Sequence, residues 1–139
     1  MSADEAAHLK GLKKLLVGSS ALRAEEIAAS DKARKKFTQR LHHNLEIDAR
    51  YIIPLLKGSR SDATILAELK RLGTLPKVYA ISEARDLDGQ FFDSDEILDV
   101  ISRWNGPSTL FSCYPGHLLF WYGETKNERQ FAYRPKTAS

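Results

Sequence analysis

Cys113 and His117 bracket Tyr114-Pro115-Gly116, a spacing that lets a thiol and an imidazole meet across a tight turn. An imidazolium next to a thiol lowers its pKa and makes a thiolate nucleophile, so this corner is the chain's candidate for Cys/His hydrolysis. The competing reading is structural. A cysteine inside Phe111-Ser112-Cys113-Tyr114 behaves as a small buried hydrophobe, and spacing assigns it no orienting carboxylate.

A second set joins Glu83, Arg85, His117 and Arg129, each near the end of an expected strand. General base, phosphate clamp and general acid are the roles those residue types fill in small ribonucleases, an analogy of residue type and architecture with no motif behind it. A small hydrolase using His117 with Glu83 or Cys113 is therefore the alternative to a binding role. Asp86, Asp88, Asp93, Asp95, Glu96 and Asp99 are rich in oxygen ligands, but they lack the offsets of a calcium loop. His42 and His43 are adjacent, about 100° apart on a helix, and do not face one ion. Neither a metal nor a cofactor is expected.

Two features point to binding. Lys32, Arg34, Lys35, Lys36, Arg40, His42, His43 and Arg50 lie off an apolar stripe and are expected to face water, where cations can meet phosphates. Phe111, Tyr114, Phe120, Trp121, Tyr122, Phe131 and Tyr133 crowd into the last strands. With alternate residues on opposite faces, aromatics fall on both sides of the sheet, and the helical half is expected to cover one side only. Trp121 and Tyr133 would then be open to a stacking partner.

The elements that must place these groups follow from periodicity. Ala6, Leu9, Leu12 and Leu16 predict an amphipathic helix over 4–17 with Gly18 as its stop. A second helix is expected over 20–29, with a break at Ser30 and Asp31. Ala33, Phe37, Leu41, Leu45, Ala49, Ile52 and Leu56 step by three or four, which predicts one long helix that Pro54 kinks or ends. A fourth helix begins at Ser61, buries Ile65, Leu66, Leu69 and Leu72, and stops at Gly73. A strand over 77–82, a turn at Asp88-Gly89 and a helix capped by Asp93 and Glu96 come next. Strands over 109–114, 118–123 and 130–134 have connections short enough for an antiparallel meander.

The 139 residues suit one α+β domain, with a helical part over 1–75 and a sheet part over 76–135 in β-α-β-β-β order. Hydrophobic residues at 42% and charged residues at 28% exclude disordered and coiled-coil classes. A single cysteine excludes disulfide scaffolds and thiolate zinc sites, and suits a reducing, cytoplasmic setting. Asp4 and Glu5 argue against an export signal, and no run reaches the ~18 apolar residues of a membrane span. The net charge of +3 splits into +5 over 1–60 and −2 over 61–139, which favours an anionic partner for the first half. The expectation is a non-catalytic binding or regulatory module engaging nucleic acid or a protein through Lys32, Lys35, Lys36, Arg40, Trp121 and Tyr133. Self-association through the aromatic face is a further possibility.

Overall fold

The computed structural model describes residues 2–39, 41, 45–53, 62–103, 106–123 and 129–136. Helix α1 (Ala3–Gly11) starts where Ser2 Oγ accepts from the Glu5 N–H at 3.1 Å, with Asp4 and Glu5 at the positive end of the helix dipole. A 3-10 turn over Leu12–Lys14 carries the apolar stripe onward, so the expected helix over 4–17 is a helix plus a turn. Gly18, expected as a stop, instead opens α2 (Gly18–Glu26) at φ 59°, a backbone region that suits glycine. Ser30 breaks the chain as its type predicts: its Oγ accepts from Ala33 N–H at 3.0 Å and starts α3 (Asp31–Thr38).

The long helix expected from 33 to 56 does not form. Helix α3 ends at Thr38, whose Oγ1 turns back to donate to the Lys35 carbonyl. Of the later stripe residues, Leu45 and Ile52 pack partly buried against the same core and Ala49 is exposed. Leu41 and Ile47 are buried, Ile47 bridges Leu16 in antiparallel fashion, and Asp48 caps a 3-10 turn over Ala49–Tyr51. The β-branched pair Ile52–Ile53 forms β1. Pro54, expected to kink or end the long helix, and Ser61, expected to begin the fourth, lie outside the described residues.

Helix α4 (Asp62–Arg71) and strand β2 (Lys77–Ser82) follow as expected, and Gly73 has φ 95°. A short strand, β3 (Phe91–Asp93), then pairs with β2 before helix α5 (Ile97–Arg103) begins, an element the β-α-β-β-β order lacked. Asp93 forms no side-chain cap, because its carboxylate is held by Lys77 at 2.6 Å. Strands β4 (Thr109–Tyr114), β5 (Leu118–Tyr122) and β6 (Arg129–Tyr133) form the meander. The sheet is antiparallel throughout, in the order β1-β6-β5-β4-β2-β3.

Helices cover both faces, which corrects the expectation of one open side. Tyr79, Ile81, Leu110, Leu119, Trp121 and Ala132 face α1, α2 and α3 with Leu9, Leu12, Leu15 and Phe37. Val78, Ala80, Phe111, Cys113, Phe120 and Phe131 face α4 and α5 with Ile65, Leu69, Ile97 and Ile101. Fully burying a Phe is worth about 1.5–3 kcal/mol. Phe111, Phe120 and Phe131, all at 0% exposure, therefore belong to the stabilising core. No described helix is long and apolar enough to cross a membrane.

Candidate functional site

Helix α3 separates its cations by job. Arg34 points inward, where Nε and Nη2 donate to the two Asp88 oxygens at 2.6 and 2.8 Å and Nη1 donates to Tyr79 Oη at 2.7 Å. Burial opposes the guanidinium charge, but Asp88 and Tyr79 together more than offset it and hold the pKa above its usual value. The Tyr79 hydroxyl donates in turn to Glu5 at 2.8 Å, and burial raises its pKa to about 12. Asp88 also accepts from the Ser82 N–H at 3.1 Å, so one network ties α1, α3, β2 and the loop before β3 together.

The remaining α3 cations face the other way. At about 100° per residue, Lys32, Lys35 and Lys36 fall within a single arc opposite Phe37. All three are exposed, and none has an ion-pair partner among the described residues. Placing like charges three and four residues apart on a helix works against its stability. Arg50, expected with them, is tied to Asp48 at 2.7 Å, and its hydrogen bonds hold Asp48 below the usual carboxylate range. Arg40, His42 and His43 lie outside the described residues.

A cleft of about 610 Å³ opens between the first turns of α1 and the sheet end formed by β2, β3 and the β4–β5 turn. His8 forms part of its wall, only 3% exposed. Its Nδ1 shares a 2.6 Å hydrogen bond with Ser112 Oγ, and its ring stacks on Tyr79 and meets the edge of Phe91. Burial lowers the His8 pKa, partly opposed by the charge of Asp4. Nε2 has no protein partner among the described residues, yet it is not sealed off. Sequence alone does not assemble this group, because His8, Ser112 and Phe91 come from three distant segments. The one local signal is Asp4 four residues before His8, which puts both on one helix face.

The expected hydrolytic residues do not converge. Cys113 is fully buried, its thiol donates to the Phe111 carbonyl at 3.6 Å, and burial pushes its pKa up to about 12. His117 commits Nδ1 to the Arg134 carbonyl at 2.8 Å. Glu83 accepts from the Ser108 N–H at 2.9 Å, beside the start of β4, whereas His117 follows its end. A six-residue strand separates them, which at about 3.3 Å per residue is far beyond proton-transfer reach. Arg129 donates to Tyr122 Oη at 2.9 Å and lies over that ring, and Arg85 is exposed.

The acidic residues are largely engaged elsewhere. Asp93 pairs with Lys77, Asp95 with Lys70 and Asp99 with Arg103. Among the described residues no group of three or more His, Cys, Asp and Glu could hold a metal. Of the two rings expected as stacking surfaces, Trp121 is enclosed by the double coverage of the sheet, which corrects that expectation, while Tyr133 stays partly open. Trp121 is 5% exposed and its indole N–H donates to the Leu41 carbonyl at 2.7 Å, while Tyr133 is half-buried against the α4–α5 core. The rings available as a self-association face are thereby reduced to partly covered ones. Compared with family models, curated proteins and solved structures, the chain has no match.

Proposed function

We propose that the protein is a non-catalytic binding module that holds a nucleic-acid backbone on the solvent face of α3. The observation that carries this reading is the division within α3. Arg34 pins the helix to Asp88 and Tyr79, whereas Lys32, Lys35 and Lys36 share an exposed face with no described acidic partner. Exposed, unpaired cations on a rigidly held helix suit phosphates, which supply affinity without base reading. The enclosure of Trp121 removes stacking from the proposal and leaves charge as its mechanism. The scattering of Glu83, Cys113 and His117 removes the observation that would favour hydrolysis.

The test is fluorescence anisotropy on a labelled duplex at several salt concentrations, for the natural chain and for Lys32→Glu/Lys35→Glu/Lys36→Glu. The natural chain should bind with a log–log salt slope of about −0.9 per phosphate engaged. The triple variant should lose binding with an unchanged unfolding midpoint. Equal binding by the variant, or no salt-dependent binding by the natural chain, rejects the reading.

A further inference from the structure

We infer that the cleft beside His8 is a binding site for a small aromatic amine. Its volume of about 610 Å³ lies in the range of small-ligand pockets. Its walls are mainly apolar: Ala7, Leu75, Pro76, Phe91 and Pro115. Among the described residues Phe91 is one of few large apolar side chains left open, at 37% exposure, and it stands against the His8 ring. An aromatic body seated there would cover the open side of Phe91 and gain ring–ring contact.

Two polar groups define the other end of the ligand. His8 is more than nine-tenths buried, with Nδ1 taken by Ser112 and Nε2 lacking a protein partner at the cleft it lines. Nε2 is therefore the ring nitrogen left free for a ligand hydrogen bond at the cleft. Asp4 lines the same cleft one helical turn away, with no ion-pair partner among the described residues and its charge felt at His8. With its Nδ1 proton on Ser112, the imidazole accepts at Nε2; that acceptor and a carboxylate together suit an ammonium group, which donates to both. An anion would meet Asp4 with the wrong sign. Lys77, the cation on the rim, is already held by Asp93.

The floor is fixed in advance. Tyr79, on which His8 stacks, is tied through its hydroxyl to Glu5 and Arg34, and Arg34 to Asp88. The network therefore holds His8 in place before any ligand arrives, which lowers the ordering cost of binding.

Titration followed by heteronuclear NMR decides the matter, with benzylamine, benzyl alcohol and benzoate as probes. Benzylamine should shift the resonances of His8, Ser112 and Phe91 in a saturable way, and the alcohol and the carboxylate should bind about tenfold more weakly or not at all. Asp4→Asn should weaken benzylamine by about tenfold, and Phe91→Ala should weaken it similarly, with both variants folded by their amide spectra. Saturable binding of the alcohol as tight as the amine, unchanged affinity in Asp4→Asn, or no saturable shift at His8 overturns the proposal. Because none of these readouts involves Lys32, Lys35 or Lys36, failure here is separable from failure of nucleic-acid binding.

Discussion

Arg34 of α3 grips Asp88, in the loop before β3, with two parallel hydrogen bonds of 2.6 and 2.8 Å, and both side chains are at most one-fifth exposed. Bidentate and charge-assisted, this is the pair best shielded on both sides among the described residues. Removing one partner leaves the other charge partly buried and uncompensated. Arg34→Ala should therefore cost about 2–3 kcal/mol, below the full penalty of a completely buried pair. Arg34→Lys should recover little, since an ammonium cannot reproduce the planar fork. Urea unfolding of Arg34→Ala, Asp88→Ala and the double variant gives the coupling, expected to exceed about 1 kcal/mol. Simple additivity of the two single variants would show that the pair is not a stabilising unit.

His8 makes stability depend on pH in a definite direction. Its folded pKa is lowered from the ordinary 6.5, first by burial, with Asp4 opposing. The unfolded chain then takes up the proton before the folded one as pH falls. Stability is accordingly intact above about 6.5 and lost progressively as pH drops toward the folded value. His8→Gln keeps a partner for Ser112 but removes the titration. Its urea midpoint should fall less than that of the natural chain between about pH 7.5 and pH 5. Identical pH profiles would rule out His8 as the source.

The parts of this fold that could be read from sequence are those governed by neighbours in the chain. Ser30 as a cap, α4 with its terminal Gly73, and the meander strands each follow from local composition, and each is observed. The stripe from Ala33 to Leu56 misled because Leu41 is buried, and Leu45 and Ile52 pack partly against the same core, without a continuous helix. The double coverage of the sheet was visible in principle. Leu118 and Phe120 alternate with Leu119 and Trp121, so both faces carry large apolar side chains that need covers. What no local rule supplies is that α4 crosses to the face opposite α1. The candidate sites divide in the same way: the α3 lysines form one contiguous helix face, whereas the His8 cleft joins α1, β2, β3 and the β4–β5 turn.

Cys113 should behave as a core residue with no chemical reactivity. Its thiol is fully buried and its pKa is pushed up to about 12, so almost none is thiolate at neutral pH. A disulfide reagent should leave it unlabelled in the native protein and label it fully in urea. Cys113→Ala should cost about 1–2 kcal/mol through the small cavity it leaves next to Phe111 and Phe120. Rapid native labelling would contradict the burial and reopen its pairing with His117.

Gly11 carries the last prediction, in which helix propensity and packing pull in opposite directions. Within a helix, Gly→Ala gains about 1 kcal/mol from propensity alone. Here a Cβ at position 11 would lie 2.3 Å from the Gly116 nitrogen and 2.9 Å from its Cα. Those are backbone atoms of the β4–β5 turn, and Gly116 itself sits at φ 74°, so neither side yields by a simple rotamer change. The end of α1 is thus pressed directly against the turn that carries Pro115, a wall of the His8 cleft. Packing should win. Gly11→Ala should destabilise by about 1–3 kcal/mol in urea unfolding despite its better propensity, and it should displace the Pro115 and His8 resonances in NMR spectra. A stabilised Gly11→Ala protein would mean that α1 and the turn do not meet as closely as the structure places them.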